Sequence, residues 1–159
     1  MQLLPSEIYA KKVDFPIEVP FVEIKDAPQY SYRGLLLDVA RTFQPVDEIK
    51  HVIDYMAYCK LNKLHFHLVD SEGWRLELKK YPYIAEEAGF RGGDSPLHPV
   101  YGSFDKKYGG YYTQEELRDI VVYASQRNIE VIPEIDMPGH SKALGMVHSD
   151  ILCNYTPDT

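Results

Sequence analysis

An apolar strand and a polar turn follow one another in Ile132-Pro133-Glu134-Ile135-Asp136-Met137-Pro138-Gly139-His140, where a carboxylate and an imidazole stand four residues apart. Two earlier segments, Gly34–Arg41 and Leu64–Asp70, are also apolar strands that end in charged residues. Active sites of α/β proteins form where the carboxyl ends of parallel strands meet. Three strands with charge at the same end therefore predict one shared pocket.

Helical patterns lie between these strands. Pro45 opens a segment whose apolar residues recur at helical spacing as far as Ala57, and the capping box Thr113-Gln114-Glu115-Glu116 starts a second helix. A third helix is predicted from Ser141 onward. Strands that alternate with amphipathic helices favour parallel pairing with right-handed crossovers. The predicted fold class is α/β, as a doubly wound sheet or as the first part of a (β/α)8 barrel.

The segments outside this pattern are read from composition. Residues 1–30 carry four prolines and one short alternating stretch, which predicts a linker or the tail of an upstream domain. The barrel portion is then expected over residues 31–159. Arg91 to Tyr112 is rich in Gly, Pro, Ser and Tyr, which predicts a long loop over the site. Tyr81-Pro82 is interpreted as a break after an alternating segment.

Charge and cysteine usage exclude several classes of function. The net charge of −7 and the pI near 5.3 argue against partners such as nucleic acid or an anionic membrane surface, so a neutral or small solute is expected. Met1–Pro5 lacks the pattern of a signal peptide, and no apolar run approaches the roughly 18 residues of a membrane span. Cys59 and Cys153 are far apart, without disulfide or zinc spacing, which favours idle free thiols.

Four polar residues at the strand ends are candidates for the site. Arg41 could bind two hydroxyls of a sugar, although a surface salt bridge fits its position equally well. Asp70 could line the pocket or cap the following turn. Asp136 and His140 flank a Pro-Gly turn, an arrangement that can orient a histidine for proton transfer, with structural use of both as the alternative.

Two further features have competing interpretations. Trp74 could be a stacking platform for a sugar or plain packing. His65 and His67 alternate on one strand face and could form a His-x-His metal pair, as in a metal-dependent amidohydrolase. They lie before the strand end, however, which favours core histidines bonded to neighbouring backbone. No metal and no cofactor are therefore predicted.

Five segments follow one another along the chain: Tyr32–Arg41, Lys60–Asp70, Gly73–Arg75, Tyr108–Thr113 and Ile132–His140. In this order they resemble the signature blocks of the family 20 glycoside hydrolases, the β-N-acetylhexosaminidases. Ser71 stands where the family usually has an acidic or amide residue, and Phe66 where it usually has tryptophan. The resemblance implies the first three or so βα units of a (β/α)8 TIM barrel, joined to an upstream domain by a link at Val22–Pro28.

The resemblance implies a function and residue roles. Arg41 corresponds to the arginine that binds the 3- and 4-hydroxyls of a terminal N-acetylhexosamine. Asp70 and His140 correspond to a carboxylate-imidazole pair that runs toward the catalytic acid, and Asp136 lines the same rim. The substrate would be a glycan that ends in β-linked N-acetylglucosamine or N-acetylgalactosamine. A secreted, periplasmic or lysosomal location is implied for the full-length protein.

The family reaction departs from the usual two-carboxylate scheme. The substrate's own acetamido oxygen attacks the anomeric carbon, a glutamic acid protonates the leaving oxygen, and configuration is retained. The implied Asp-Glu pair after a Gly-Gly turn is absent, and Gly92-Gly93-Asp94-Ser95 is the only Gly-Gly-Asp. The chain is therefore expected to be an inactive part of a hexosaminidase that either self-associates through exposed barrel edges or is only marginally stable. A non-catalytic sugar-binding fragment is the alternative.

Overall fold

The computed structural model describes residues 16–97 and 105–151. The chain divides into two compact units, residues 1–31 and 32–159. The described part of the first unit, residues 16–31, contains no helix or strand. The second unit has the element order β1 (Gly34–Asp38), α1 (Val46–Tyr58), β2 (Lys63–Asp70), β3 (Gly73–Trp74), α2 (Pro82–Ala88), β4 (Phe90–Arg91), β5 (Tyr108–Gly109), α3 (Gln114–Ser125), β6 (Glu130–Ile135), α4 (Lys142–Val147) and a final 3-10 turn (Ser149–Ile151).

The main sheet is parallel, as the alternation of strands and helices predicts. β2 pairs with β1 on one side and with β6 on the other, both in parallel, while the short β3 pairs antiparallel with the end of β2. The register places Asp38, His67 and Glu134 in one row across the three strands. Residues in register on a parallel sheet share a face, so this row points to one side.

The hydrophobic core lies between the other face of the sheet and the helices. Ile49, Ile53 and Met56 of α1 are buried, as the helical stripe predicts, and Ile120 and Ala124 of α3 are buried beside them. The predicted capping box of α3 is present, with the Glu116 amide donating to the Thr113 hydroxyl and the Thr113 amide donating to the Glu116 carboxylate. The helix found after Ser141 is α4.

One helix is missed by the sequence pattern. Pro82 was expected to break the chain, but it begins α2. A proline at the first helical position costs little, since its missing N–H would have no partner inside the helix. The expected loop from Arg91 to Tyr112 is also more ordered at its ends, because β4 pairs with β5 and Tyr112 is fully buried. Its middle, residues 98–104, lies outside the described residues.

The remaining predictions from composition have simple outcomes. Cys59 is exposed and carries a free thiol, whereas Cys153 lies outside the described residues. Within residues 16–97 and 105–151, no helix has both the length and the apolar character that a membrane crossing requires.

Arg75 joins the loops around the sheet. Its side chain is fully buried, and its four hydrogen bonds among the described residues all go to backbone carbonyls, those of Val39, Ala40, Gly89 and Gly110. Burial lowers the pKa of Arg75 to about 10, so the guanidinium stays charged at neutral pH. A planar group with five donors is suited to hold several carbonyls at once. Gly73 makes room for it, since a Cβ there would lie 2.6 Å from the guanidinium carbon.

We predict that Arg75→Met destabilises the protein by about 3–5 kcal/mol, because buried carbonyls lose their donors and methionine cannot replace them. The measurement is the free energy of unfolding in denaturant. Arg118→Met is the matched control, since Arg118 lies on the exposed face of α3, with a side chain 65% exposed, and a change within about 0.5 kcal/mol is expected there. Equal losses in the two variants would contradict the role given to Arg75.

Candidate active site

A polar cleft of about 230 Å³ opens at the carboxyl ends of β1, β2 and β6. This is the edge at which the sequence predicts a shared pocket. The structure brings together there the predicted residues Arg41, Asp70, Asp136 and His140, while the fifth, Trp74, lies elsewhere. The cleft is lined by Leu36, Asp38, Arg41, His67, Asp70, Glu134, Asp136 and His140.

Asp70 is the central group of the cleft, with a side chain only 2% exposed. Its Oδ2 lies 2.6 Å from Nη2 of Arg41 and 2.9 Å from Nε2 of His67, and its Oδ1 lies 3.1 Å from Nδ1 of His140. The Ser71 amide also donates to Oδ1, at 2.6 Å. Burial opposes the charge of this carboxylate, but the Ser71 amide, His67 and the other donors outweigh burial and lower the pKa of Asp70. Asp70 is therefore an ionised carboxylate that joins three functional side chains.

Arg41 is held by carboxylates on three sides. Its Nη1 lies 2.5 Å from Asp38, its Nη2 lies 2.6 Å from Asp70, and its Nε lies 3.6 Å from Glu72. The hydrogen bond to Asp38 is the main reason that the pKa of Arg41 is raised. A guanidinium has five N–H donors, so these contacts leave one N–H on each Nη for a ligand. Arg41 thus takes part in a salt bridge and also lines the cleft.

The turn that carries Arg41 is fixed by its backbone. The Arg41 amide donates to the Asp38 carboxylate at 3.0 Å, and the Arg41 carbonyl accepts from the buried side chain of Arg91 at 2.5 Å. The amides of Val39 and Ala40 both donate to the carbonyl of His67 on β2, at 3.2 Å. The guanidinium therefore projects from a turn that is attached to two other segments.

His140 reaches Asp70 from an exposed turn. Its side chain is 57% exposed, and its backbone adopts a φ of 55°, in the left-handed region that non-glycine residues seldom occupy. Asp136, from the same turn, lines the cleft together with Glu134. Among the described residues, the carboxylate that contacts His140 is thus Asp70, and Asp136 contributes to the cleft wall.

The two histidines of β2 differ from the expected backbone-bonded core residues. Both His65 and His67 contact the Glu134 carboxylate of β6, and His67 contacts Asp70 as well. The cause is the parallel register, which places His67 opposite Glu134. Within the described residues, the one group with metal-ligand spacing is His67, Asp70 and Asp136. That group contains His67 but not His65, so it is not the His-x-His pair of the amidohydrolase alternative.

For Trp74, which the sequence leaves open between sugar stacking and packing, the structure favours packing. The indole is 3% exposed, belongs to the hydrophobic core and donates its N–H to the Leu76 carbonyl at 2.6 Å. It does not line the described cleft, so here it is a core residue and not a stacking platform. Its backbone belongs to the antiparallel pair of β2 and β3, opposite Val69.

Three carboxylates of the site were not singled out from the sequence as candidates. Asp38 and Glu134 lie on strands whose ends were recognised as charged, so the signal was present. No such signal marked Glu72, because this residue follows the end of β2 by two positions. Burial and the neighbouring carboxylate of Asp70 raise the pKa of Glu72 above its ordinary value.

Comparison with known proteins gives a consistent result. The model of the catalytic domain of glycosyl hydrolase family 20 matches residues 30–159. A beta-hexosaminidase of Vibrio furnissii is 50% identical over 125 residues, 79% of this chain and 20% of its own length. A beta-hexosaminidase of Porphyromonas gingivalis is 46% identical over 155 residues, 96% of this chain and 19% of its own. The chain thus spans about a fifth of these curated relatives.

Solved structures agree with the sequence relatives. A family 20 exo-β-N-acetylglucosaminidase from Vibrio harveyi, in complex with N-acetylglucosamine, superposes with a TM-score of 0.78 at 45% identity over 80% of this chain and 20% of that one. The family 20 β-N-acetylhexosaminidase from Streptomyces coelicolor gives 0.77 at 38% identity over 96% and 29%. The predicted fold, a partial (β/α)8 barrel with parallel strands, is confirmed.

We predict that Glu72→Gln stabilises the protein at neutral pH. The pKa of Glu72 is higher in the folded than in the unfolded state. As the pH rises from the unfolded-state pKa through the folded-state pKa, ionisation of Glu72 therefore lowers the stability of the protein. An amide avoids that cost and keeps the size and shape of the side chain. The gain should be present at pH 7 and vanish below about pH 4, near the ordinary glutamate pKa.

The measurement for this prediction is the free energy of unfolding against pH. Glu86→Gln, on the exposed side of α2, is the control and should show no such pH dependence. A gain of the same size at pH 4 and pH 7, or no gain at either, would contradict the assignment of Glu72.

Proposed function

The chain belongs to glycosyl hydrolase family 20, and we propose that the complete protein is a β-N-acetylhexosaminidase. It would remove terminal, non-reducing N-acetylglucosamine or N-acetylgalactosamine from β-glycosides. The observation that carries the proposal is the buried Asp70, whose two oxygens contact Arg41 and His140 inside one cleft. That arrangement joins a sugar-binding cation to a group that can move a proton.

Sugar recognition is assigned to Arg41. Nη1 and Nη2 of Arg41 each keep one N–H that does not contact a carboxylate. These two N–H groups can donate to two neighbouring hydroxyls of one sugar ring. The carboxylates around it keep the guanidinium charged and fixed before the sugar arrives, which reduces the entropy cost of binding. These features support the role of the arginine that binds the 3- and 4-hydroxyls.

Proton transfer is assigned to the pair of Asp70 and His140. An ionised Asp70 that accepts from Nδ1 of His140 fixes the imidazole tautomer and leaves Nε2 to face another group. In the proposed reaction that group is the glutamic acid which protonates the leaving oxygen, so the pair adjusts the proton affinity of this acid. Asp136 and the half-exposed cleft around it would surround the sugar on the β6 side.

The proposed mechanism is substrate-assisted and retaining. The acetamido oxygen of the substrate attacks the anomeric carbon as the leaving oxygen is protonated, and water then opens the oxazolinium intermediate. An aspartate next to the acid steadies the acetamido group. The 159 residues contain no Asp-Glu pair after a Gly-Gly turn, so these two groups are not assigned to any residue of this sequence.

The test is an assay of the complete enzyme with two aryl glycosides that differ only in the 2-acetamido group. We expect turnover of the N-acetyl-β-glucosaminide, with retention of configuration by NMR, and little turnover of the β-glucoside. Arg41→Ala should lower kcat/KM by about 2–4 kcal/mol, roughly 30- to 1000-fold, since charge-assisted bonds to two hydroxyls are lost. Arg118→Ala on the exposed surface should leave it unchanged.

Each outcome of this assay is informative. Equal rates on the two glycosides, or an inverted product, would contradict substrate assistance. An unchanged kcat/KM in Arg41→Ala would remove that residue from the sugar site, while leaving the family reaction in place.

We also propose that residues 1–30 link to an upstream domain and that residues 31–159 form the first part of the catalytic barrel. The family match over residues 30–159 supports this boundary. Within the described residues, β1 and β6 are the outer strands of the parallel sheet. An apolar groove lies against β6, lined by Phe66, Leu68, Leu76, Leu117, Ile120, Val121, Val131, Pro133 and Ile135.

We predict that the 159-residue polypeptide by itself self-associates and does not hydrolyse an aryl N-acetyl-β-glucosaminide. Open strand edges and apolar grooves favour association, and a missing general acid costs roughly 10²- to 10⁴-fold in rate. Sedimentation and an activity assay on the same preparation provide the measurement. Steady glycosidase turnover from a compact monomer would show that residues of this sequence perform the chemistry.

A further inference from the structure

His67 occupies an unusual position between two carboxylates. Its side chain is 6% exposed, its Nε2 lies 2.9 Å from Asp70, and its Nδ1 lies 3.0 Å from Glu134. An ionised carboxylate can only accept hydrogen bonds, and a neutral imidazole has one N–H and one acceptor nitrogen. The contact with Asp70 is a hydrogen bond and the contact with Glu134 is an ion pair, and a neutral imidazole would turn its lone pair toward one of these two carboxylates. The geometry is that of an imidazolium.

The backbone places His67 there from both sides. Parallel pairing sets His67 opposite Asp38 of β1 and opposite Glu134 of β6. A register shift of the β-bulge type follows in β2, between His67 and Val69. Residues three apart on a regular strand point to opposite faces, so this irregularity is what lets the side chains of His67 and Asp70 meet.

The charges that face this group favour its protonated form. Carboxylates outnumber the single guanidinium, so a buried cation at His67 offsets their mutual repulsion. Burial alone would lower the pKa of His67, but the contacts with Asp70 and Glu134 outweigh burial and raise it. The ionisable groups around it are Asp38 and Arg41 from β1 and its turn, His65, Asp70 and Glu72 from β2 and its turn, and Glu134, Asp136 and His140 from β6 and its turn.

We propose that His67, as an imidazolium anchored on Glu134, is a positioning residue that keeps the Asp70 carboxylate ionised and oriented toward Arg41 and His140. His67 donates to the same Oδ2 that Arg41 contacts, which leaves Oδ1 directed at His140. His67 itself would touch neither the sugar nor the reacting atoms. Its effect on activity rests on the proposed function, whereas its protonation state does not.

The consequence for the reaction follows from the charge. An opposite charge in contact with a carboxylate typically lowers its pKa by about one unit or more. If the imidazolium is removed, the pKa of Asp70 rises and its carboxylate ionises only at a higher pH. The pair of Asp70 and His140 then works only above that pH. The acid limb of the pH profile should therefore move upward, which loss of packing alone would not cause.

The first experiment uses the complete enzyme with an aryl N-acetyl-β-glucosaminide. His67→Gln should lower kcat/KM about tenfold on the acid limb, through a shift of that limb to higher pH, with a smaller loss at the optimum. His65→Gln is the matched control, because His65 lies on the same strand and face and also contacts Glu134, but the structure pairs it with Glu134 and not with Asp70. Its acid limb should stay where it is in the wild type.

Glu134→Gln provides a second variant in case His67→Gln folds poorly. The neutral amide removes the anchor of the imidazolium, so the acid limb should move in the same direction by a smaller amount. If the acid limb is unmoved in both His67→Gln and Glu134→Gln, or if it moves equally in His65→Gln, the proposal is wrong although the enzyme is a hexosaminidase.

A second measurement does not depend on activity. In the complete protein with labelled histidine ring carbons, the signal that disappears in His67→Gln should keep its imidazolium chemical shift at pH 7, above the ordinary histidine pKa of about 6.5. A neutral shift at pH 7 would overturn the proposal whatever the enzyme hydrolyses. An imidazolium shift in a protein that cleaves no hexosaminide would instead refute the proposed function and leave the state of His67 intact.

Discussion

The buried carboxylate of Asp70 is the contact through which the parts of the cleft are joined. Arg41 comes from the turn after β1, His67 from β2 itself and His140 from the turn after β6, and Asp70 contacts all three. A nearly inaccessible negative charge is tolerable only when donors surround it. Two of the side chains that satisfy Asp70, Arg41 and His140, are also those to which the proposed function assigns roles, so stability and function of the cleft depend on the same contacts.

Two buried arginines, Arg75 and Arg91, hold the loops around the cleft in place. Arg75 binds carbonyls from the turn after β1, from the end of α2 and from the segment after β5. Arg91 binds the carbonyl of Arg41. Both guanidiniums also lie over aromatic rings, Arg75 over Phe43 and Arg91 over Tyr108. The loops around the site are therefore fixed by charged hydrogen bonds to backbone, where an apolar core alone would not specify their position.

The cleft contains more carboxylates than cationic side chains. Three carboxylates contact the Arg41 guanidinium, those of Asp38, Asp70 and Glu72, and Glu134 and Asp136 line the same cleft. These carboxylates would repel one another if all were ionised beside neutral histidines. The raised pKa values of His67 and Glu72 favour their protonated forms, which relieves this repulsion, whereas hydrogen-bond donors lower the pKa values of Asp70 and Glu134 and keep them ionised. Pairs of groups whose environments move their pKa values apart are typical of sites that handle protons.

The sequence by itself determined the elements and the edge of the sheet at which the site lies. Strand alternation, the stripe of α1 and the capping box at Thr113 depend on neighbours within a few residues, so they are visible in the chain. Family blocks also marked Arg41, Asp70 and His140 correctly as members of one cleft. Only the tertiary structure decided that His67 faces two carboxylates and that Trp74 is buried. The place of His67 depends on the register of β2 with β6 and on the shift after His67, which join residues about 70 positions apart and leave no local pattern. The burial of Trp74 depends on the core residues that pack over it, which come from distant parts of the chain.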